Sequence, residues 1–405
     1  MEAARTLNFL FVSRDEYPPY RVDVAVLFGE EMVARGHRIE WILQSGSPAE
    51  RAYRTVWRSC RVWVGAADYG KSAARRLRRV LLGIANDLRV LRLVRRGRYD
   101  FIQVKDKFVS ALPALVAARA TGTRFFYWLS YPFPEEDLLA VREGAARYPR
   151  YRLARGMVRK ALLYRLLLPA AAHVFVQSEQ MKSDVAAHGI PATKITPVPM
   201  GVRAVPSALP QSGEGPDGPP IVLYLGSLDR IRRLDFLLRA FRSVLARAPE
   251  ARLHLVGGGS EPEDEAFLRA EARRLEIAEA VDFKGFVPME EAWSHVRRAA
   301  VCVSPFHPTP ILNSTSPTKM IEYMAMGKPV VANDHPEQQL VLGRSGGGLC
   351  VRYDEQSFAD AILELLNDRE KAAEMGRRGR FWVERYRTYK VIADRVEEVY
   401  LNACR

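Results

Sequence analysis

The sequence predicts an α/β protein of two domains, each a parallel sheet with helices on both faces. The chain has 405 residues, which is long for a single domain. Strand-like apolar runs alternate with helical patterns in both halves, and this alternation is typical of parallel sheets. The segment AVPSALPQSGEGPDGPP at 204–220 has no periodicity and is rich in Gly, Pro and Ser. It is therefore predicted to be a linker between the two domains.

The first predicted domain spans residues 1–203. Its helices are expected before Arg35-Gly-His37, over Ala111 to Ala120, and over Met181 to His188. Short apolar runs bounded by turn signals predict its strands. These strands are Leu7 to Val12, Ile39 to Leu43, Phe101 to Val104, Phe125 to Leu129, and Val174 to Val176.

The second predicted domain spans residues 221–385 and repeats this alternation. Its predicted strands are Ile221 to Leu225, Arg252 to Val256, Val281 to Phe283, Ala300 to Ser304, and Pro329 to Ala332. The helices between them are Leu234 to Ala248, Glu263 to Leu275, and Met289 to Arg298. A last helix within 386–405 is expected to pack back toward the first domain. Two Rossmann-like domains of this kind would face an interdomain cleft, where ligands meet the carboxyl ends of the strands.

Composition indicates a soluble globular protein, with 48% hydrophobic and 27% charged residues. The four cysteines lack the paired spacing of metal or redox motifs, which is typical of reduced thiols in the cytosol. The apolar run Leu7 to Val12 is too short for a signal peptide, and no run has the length of a membrane span. A cytoplasmic location is therefore expected.

The net charge of +14 comes from two segments of the first half. Residues 71–98 carry ten Lys and Arg against Asp87, and residues 142–165 carry eight against Glu143. In 75–96 the apolar residues recur at helical spacing between the arginines. Core-packed helices with charged outer faces are one explanation. Binding of these helices to an anionic membrane surface is the other explanation, and it predicts a peripheral protein on the inner face of the membrane.

The stretch SPTKMIEYMAMGKPVVAND at 316–334 reads as a helix followed by a strand. Ser316 is predicted to be the N-cap and Pro317 the first helical residue. Lys319 then lies in the first turn, where the helix dipole disfavours a cation. A solvated lysine would tolerate this position at small cost. A bound anion would instead make the lysine favourable there.

Two strand-end loops in the same domain favour the anion. Arg230, Arg232 and Arg233 follow the strand that ends at Leu225, and a glycine turn containing Gly258 follows the next strand. Arginine suits bidentate contact with phosphate oxygens, and glycine allows close backbone approach. These loops and the helix start that carries Lys319 share one sheet edge. Together they predict a diphosphate site.

The order of the motifs resembles that of retaining glycosyltransferases of family 4, which have the GT-B fold and use nucleotide-diphosphate sugars. The motifs are Arg35-Gly-His37, Gln177-Ser-Glu179, Val198-Pro-Met-Gly-Val202, Gly226-Ser-Leu228, Val256-Gly-Gly-Gly259, Phe283-Lys-Gly-Phe-Val-Pro288, Val303-Ser-Pro305 and Glu322-Tyr-Met-Ala-Met-Gly-Lys-Pro-Val-Val331. The resemblance covers nearly the whole chain, and the block that begins at Glu322 is its most specific part.

The resemblance implies roles for individual residues of the second half. Glu322 would bind the donor ribose, Phe286 and Val287 would border the base, and Gly258 would allow close approach. The diphosphate would meet Lys319 and either Arg232 or Arg233, and these three residues are the ones implied to act in catalysis. Thr318 and the turn at Ser316 would lie by the phosphates or the sugar.

Two departures from the family pattern concern the sugar end of the site. Ser314 stands where the pattern has the first glutamate of its Glu, seven residues, Glu motif. The expected glycine pair before the first helix is Pro19-Tyr20, and Ser227 replaces an expected arginine. We interpret Ser314 as the mark of a subtype that still belongs to the donor site.

The implied reaction transfers a sugar with retention to a saccharide acceptor, which the basic segments suggest is lipid-linked, in glycan or exopolysaccharide synthesis. Arg21, Asp106 and Ser130 are the acceptor-side candidates. No cofactor and no metal are expected, because no carboxylate or histidine spacing indicates a metal site. Fixed cations would stabilise the departing diphosphate instead.

Three other functions are alternatives to glycosyl transfer. The first is a nicotinamide-dependent oxidoreductase. Its glycine fingerprint is missing from this sequence, since the loop after the first strand reads Ser13-Arg-Asp-Glu-Tyr-Pro-Pro19. Nucleic-acid binding is disfavoured because the basic segments lack aromatic stacking platforms. A non-catalytic sugar-nucleotide-binding or scaffold protein stays open, because Ser314 replaces a glutamate.

Overall fold

The computed structural model describes residues 5–70, 72–203 and 218–405. The chain divides into two compact units. Unit 1 comprises the chain up to Pro199 together with Tyr389–Arg405, and unit 2 comprises Met200–Thr388. Residues 204–217 of the predicted linker lie outside the described residues.

Unit 1 contains an eight-stranded sheet with the strand order β3-β4-β2-β1-β5-β6-β7-β8. Neighbouring strands are parallel, except that β3 pairs with β4 in an antiparallel hairpin. The strands are β1 (Asn8–Tyr17), β2 (Arg38–Ser45), β3 (Tyr53–Trp57), β4 (Cys60–Gly65), β5 (Phe101–Lys105), β6 (Arg124–Leu129), β7 (His173–Val176) and β8 (Ile195–Pro197).

Both faces of this sheet are buried, because successive residues of a strand point to opposite sides. Phe9 and Phe11 of β1 belong to one core cluster, and Leu10 and Val12 belong to the other. The helices of unit 1 supply the remainder of both cores. They are α1 (Val22–Ala25), α2 (Ala73–Asp87), α3 (Arg89–Arg96), α4 (Ala111–Thr121), α5 (Phe133–Arg142), α6 (Pro149–Leu162), α7 (Leu168–Ala170) and α8 (Glu179–Ala186), with single π turns at Leu27–Met32 and Leu163–Leu167 and a 3₁₀ turn at Ala192–Lys194.

Unit 2 contains a six-stranded sheet in which all pairs are parallel, with the order β11-β10-β9-β12-β13-β14. Two core clusters cover its two faces. The strands are β9 (Ile221–Leu225), β10 (Arg252–Val256), β11 (Val281–Gly285), β12 (Val301–Ser304), β13 (Val330–Asn333) and β14 (Gly348–Val351).

Several helices of unit 2 begin at side chains that accept hydrogen bonds from free backbone amides. Asp354 accepts from Ser357 and Asp368 accepts from Lys371, while Glu261 and Asp264 form a capping box. The helices are α9 (Asp235–Leu245), α10 (Pro262–Arg274), α11 (Met289–Arg298), α12 (Pro310–Asn313), α13 (Thr318–Ala325), α14 (Pro336–Ser345), α15 (Glu355–Asn367) and α16 (Arg369–Tyr386), with 3₁₀ turns at Arg230–Arg232 and Ala278–Ala280.

The last helix, α17 (Tyr389–Ala403), belongs to unit 1. Its Tyr400 ring is fully buried, and it lies 4.7 Å from the ring of Phe9 and 4.9 Å from that of Phe126. The Tyr400 hydroxyl donates to Gln103 on β5. These contacts make the end of the chain part of the core under β1, β5 and β6.

The predicted fold class, two parallel-sheet α/β domains, is confirmed. The sequence prediction missed β8, β14 and the β3–β4 hairpin. Strand β14 reads Gly-Leu-Cys-Val and is only half-buried, so it lacks the continuous apolar run of a central strand. Among the described residues, no helix is long and apolar enough to cross a membrane.

Candidate functional site

The carboxyl ends of β9, β10 and β11 meet in a set of glycine turns. The Gly226 amide donates to Val256 O over 2.8 Å, and the Gly257 amide donates to Gly285 O over 2.8 Å. Gly226 and Gly257 have φ angles of +148° and +126°. A Cβ at Gly257 would lie 2.1 Å from Gly226 O, so the turns approach to a distance that only glycine permits.

The Lys319 side chain lies directly against this turn. A Cβ at Gly226 would be 1.8 Å from Lys319 Nζ, so Gly226 leaves the space that the ammonium group fills. Lys319 Nζ donates to Tyr224 Oη over 2.7 Å, and the Tyr224 hydroxyl donates to Ser227 O over 3.0 Å. The first-turn lysine therefore reaches from α13 to the end of β9, where it faces the sheet edge.

Electrostatics at Lys319 disfavour its charge in the unliganded protein. Burial, together with the nearby Arg232 guanidinium, lowers the pKa of Lys319 to about 7, although Glu322 and Asp229 act in the opposite direction. Burial also raises the pKa of Glu322 to about 7, against the effect of Lys319. An anion at this place would stabilise the protonated lysine.

The three predicted arginines of the β9 loop separate in the structure. Arg232 Nε donates to Ser227 Oγ over 3.2 Å, and its charge acts on Lys319. Arg233 has the left-handed φ of +51° and pairs with Asp235 at 3.3 Å. The Arg230 guanidinium lies 4.2 Å from the ring centroid of Phe267. Only Arg232 of this group is brought toward Lys319.

The predicted donor residues on α12 and α13 lie in different environments. Glu322 and Thr318 are half-buried, and Glu322 forms no ion pair within the described part of the chain. Ser314 is buried and donates to Pro310 O over 3.3 Å. Ser316 does not cap α13 as predicted, because its hydroxyl accepts from the Met200 amide over 3.0 Å and Pro317 is the N-cap.

Hydrogen bonds fix the position of α13 and of the loop before it. The Leu225 amide at the end of β9 donates to Tyr323 Oη over 2.8 Å. The Asn333 side chain accepts from the Phe306 amide over 2.7 Å and donates to Phe306 O over 2.9 Å. Buried His335 donates through Nε2 to Leu312 O over 2.7 Å and accepts from the Glu337 amide through Nδ1. Its role is thus to hold α12.

Phe286, predicted to border the base, is 92% exposed and follows β11. A Cβ at Gly258 would lie 4.0 Å from Phe286 Cβ, so these two predicted residues are neighbours. Val287 is half-buried and packs against the core of unit 2. An aromatic ring exposed to this degree offers a free face on which a planar base could stack.

Unit 1 has its own cavity, of about 710 Å³, at the carboxyl ends of β1 and β5. Arg21 and Asp106, two of the acceptor-side predictions, line it. Ser130, the third, does not line the cavity but donates from its amide to Asp106 Oδ1 over 2.8 Å and from its hydroxyl to Oδ2. Asp106 has a φ of +55°, and its burial raises the pKa of its carboxyl group.

A buried ion cluster lies behind this cavity. Lys105 Nζ lies 3.0 Å from Asp15, 3.3 Å from Asp23 and 3.7 Å from Asp106, and the Lys105 side chain is inaccessible to solvent. Arg21 adds a second cation, 3.3 Å from Asp23. The carboxylates compensate the buried lysine, which makes the orientation of Asp106 part of a rigid network.

The sequence analysis missed several residues that the structure adds to these sites. They include Tyr224, which was counted as a strand residue only, and Lys105, which directly follows the strand that was predicted to end at Val104. A lysine at the end of an otherwise apolar strand is the signal that could have identified Lys105, because buried lysines need partners. In the described residues, no group of three or more His, Cys, Asp or Glu side chains could hold a metal ion.

Two family models match the chain. The model described as "Glycosyl transferases group 1" matches residues 219–368, and the one described as "Glycosyl transferase 4-like domain" matches residues 24–201. The chain therefore belongs to the glycosyltransferases of the family 4 type with the GT-B fold.

Curated relatives carry more specific names. A D-inositol 3-phosphate glycosyltransferase of Nocardia farcinica is 32% identical over 206 residues, which is 50% of this chain and 43% of the relative. A GDP-mannose-dependent alpha-(1-6)-phosphatidylinositol monomannoside mannosyltransferase of Mycolicibacterium smegmatis is 31% identical over 166 residues, 40% of this chain and 43% of the relative. The chain thus matches less than half the length of these relatives.

Solved structures share the fold. A sucrose-phosphate synthase from Thermosynechococcus elongatus has a TM-score of 0.72 at 21% identity, over 98% of each chain. Anabaena HepE in complex with UDP has a TM-score of 0.69 at 15% identity, over 98% of this chain and 100% of that one.

Lys319 is expected to take up a proton when a diphosphate binds. Its pKa of about 7 should rise beside an anion, so binding above pH 7 should be accompanied by proton uptake and should weaken as the pH rises. Calorimetric titration of a nucleoside diphosphate in buffers of different ionisation enthalpy measures this uptake. Lys319→Met should abolish the uptake and the preference for the diphosphate over the nucleoside. Equal uptake by the variant would exclude this role.

Arg232 and Arg233 form a matched pair for a kinetic test. Arg232→Ala should lower kcat about 100-fold, the usual loss for one fixed donor to developing charge. Arg233→Ala should change kcat less than about threefold, because that side chain is paired with Asp235. Steady-state rates with the cognate donor measure both. Losses of equal size would show that Arg232 has no special position.

Proposed function

We propose that the protein is a retaining glycosyltransferase that moves a sugar from a nucleotide-diphosphate sugar to a saccharide acceptor. The observation that carries the proposal is the Lys319 ammonium group, held at the glycine turns of β9 and β10 beside Arg232 and Glu322. Two basic side chains at the carboxyl ends of parallel strands suit a diphosphate. Membership of a glycosyltransferase family supports the same reaction.

The cations of unit 2 have a defined part in this reaction. The bond between the sugar C1 and the diphosphate oxygen breaks, and the acceptor oxygen bonds to C1 on the same face. The acceptor proton leaves on the departing phosphate oxygen. Negative charge grows on the diphosphate as this happens, and preorganised Arg232 and Lys319 stabilise it more than they stabilise the bound donor.

We assign the nucleoside of the donor to the surface between Glu322 and Phe286. The half-buried Glu322 carboxylate can accept from ribose hydroxyl groups, and the exposed Phe286 ring can stack on the base. Ser314 places a short hydroxyl side chain at the sugar end instead of a carboxylate. The donor sugar is therefore expected to be held with fewer charged contacts at that end.

We assign the acceptor to the cavity of unit 1. Asp106 is held by Ser130 and Lys105, so it can orient an acceptor hydroxyl group without reorganisation. According to their names, two of the relatives act on inositol phosphate or phosphatidylinositol mannoside acceptors. This supports an acceptor that carries both hydroxyl groups and an anionic or lipid part.

A lipid-linked acceptor fits the helix that forms one wall of this cavity. Val80 and Ile84 of α2 line the cavity, while Leu77, Val80 and Leu81 are 60%, 58% and 56% exposed. The apolar face of α2 is thus not a core face. In α6, Met157 is 60% exposed as well. Exposed apolar side chains between arginines are typical of helices that lie on anionic membranes.

The cationic faces are partly neutralised by carboxylates from other segments, which the sequence did not indicate. Arg152, Arg155 and Arg159 of α6 all pair with Asp137. Attachment through α6 alone would therefore be weak. Two arginines of α2 also pair with a carboxylate, that of Asp68. We place the main membrane contact on α2 because of its exposed apolar side chains, and we propose a peripheral location on the inner face of the cytoplasmic membrane.

A non-catalytic sugar-nucleotide-binding protein is the second candidate, because Ser314, which is buried and donates to Pro310 O, stands where the family pattern has a glutamate. Both candidates bind nucleotide, so binding cannot separate them. Turnover can separate them, since only an enzyme releases the nucleotide diphosphate from its sugar.

The decisive assay incubates the purified protein with UDP-, GDP- and ADP-sugars and follows slow donor hydrolysis and transfer to lipid-linked saccharides. We expect one donor to be hydrolysed. Asp106→Asn should retain this hydrolysis and lose transfer by about 100-fold or more, because it removes a positioned acceptor contact. Nucleotide binding with no turnover of any donor would instead support the non-catalytic candidate.

Membrane attachment is tested by sedimentation with vesicles. The protein should sediment with anionic vesicles and not with neutral ones, and salt should release it. Leu77→Gln with Leu81→Gln should abolish the sedimentation. Val116→Gln is the matched control, since Val116 is also exposed, at 58%, but lies on α4. A soluble acceptor would be indicated by recovery of the wild-type protein in the supernatant.

A further inference from the structure

A second cavity of unit 1, of about 640 Å³, lies away from the acceptor cavity. Glu40 near the start of β2 and Arg61 near the start of β4 line it, whereas the acceptor cavity lies at the other ends of the strands. Its lining contains five arginines, and we call it the arginine pocket. They are Arg54, Arg61, Arg89, Arg92 and Arg96.

The arginine pocket is built from two separate structural elements. Arg61 is the register partner of Glu40 on β2, and Arg54 is the partner of Trp63, so these side chains share one face of the sheet. Arg89, Arg92 and Arg96 recur three and four residues apart on α3 and form one helical stripe. The sheet and the helix thus direct their cations to one place.

The cations of the arginine pocket are not neutralised by the protein. None of the five forms an ion pair with a carboxylate in the described ranges 5–70, 72–203 and 218–405, unlike the arginines of α6. Glu40 is the one carboxylate in the lining. Its two oxygens accept from Trp63 Nε1 over 2.6 Å and from the Tyr99 hydroxyl over 2.8 Å.

Cations arranged in this way repel each other, and a bound anion would relieve the repulsion. Like charges at neighbouring positions on a helix repel each other, and so do cations gathered in a concave site. Five guanidinium groups against one carboxylate exceed the charge of a single phosphate. Arginine is also the side chain that best forms paired hydrogen bonds with phosphate oxygens.

We propose that the arginine pocket is a binding site for an anion that bears two or more phosphate groups, separate from the donor site of unit 2. The cavity has the size of small-molecule sites. The Trp63 ring, which lies 5.6 Å from Arg54 Cζ and 5.5 Å from Arg89 Cζ, holds the guanidinium groups at the wall. The site goes beyond glycosyl transfer and does not depend on it.

The test is calorimetric titration of the full chain with inorganic pyrophosphate at low salt. Pyrophosphate can also bind near Lys319, so the titration is repeated in Lys319→Met, where binding to the arginine pocket should persist. Arg54→Ala with Arg61→Ala should weaken this binding about tenfold or more, since two charged contacts are lost. Arg119→Ala, an exposed arginine of α4, is the matched control and should have no effect.

A second variant checks that the arginines are not structural. Arg92→Gln should weaken pyrophosphate binding and yet raise the thermal midpoint of the unliganded protein, because it removes repulsion. A lower midpoint, or binding that is unchanged in the variants, would overturn the proposal.

The phosphate groups could belong to a soluble compound or to a lipid headgroup. Binding to lipid vesicles distinguishes these two sources. Phosphatidylcholine vesicles with cardiolipin, whose headgroup contains two phosphates, should bind in an Arg54- and Arg61-dependent manner if the source is a lipid. Tight pyrophosphate binding with vesicle binding that does not need these arginines would indicate a soluble source. Arginine-dependent binding of an RNA oligonucleotide alone would overturn the proposal in favour of a polymer surface.

Discussion

The contact between Lys319 and Gly226 is the constraint on which the candidate donor site depends. The ammonium group fills the space that a side chain at position 226 would need, and Tyr224 holds it there. Gly257 in turn leaves room for the Gly226 carbonyl group. Three strand ends and the first turn of α13 therefore approach each other closely at this edge of the sheet, where we propose that the diphosphate binds.

Lys105, which is fully buried, and Lys319, which is half-buried, show how neighbouring charges set the protonation of a lysine. Burial alone would lower the pKa of Lys105, but Asp23, Asp15 and Asp106 raise it, so this lysine stays charged as a structural element. Lys319 has no carboxylate so close, and burial lowers its pKa. The first lysine is already compensated by the fold, while we propose that an anionic ligand compensates the second.

The basic helices α3 and α6 of unit 1 also differ in whether carboxylates compensate their arginines. The arginines of α6 share Asp137, so this carboxylate neutralises part of their charge. Those of α3 have no such partner in the described residues, and β4 brings Arg61 to face them. A count of charges along the chain treats the two segments as equivalent. Because only the arginines of α6 have such a partner among the described residues, we propose that α3 binds the external anion.

The sequence by itself determined the class of fold and most strands, because burial on both faces of a parallel sheet leaves continuous apolar runs. It also indicated the candidate residues at the carboxyl ends of the strands of unit 2. Lys319 was singled out because a cation in the first turn of a predicted helix is unusual, and Glu322 because of the resemblance to family 4. The sequence could not indicate that Arg232 and not Arg233 turns toward Lys319, since that depends on the left-handed backbone at Arg233 and on Asp235. Tertiary structure alone joined Arg54 and Arg61 to Arg89, Arg92 and Arg96, because contacts between distant segments leave no periodic signal in a sequence.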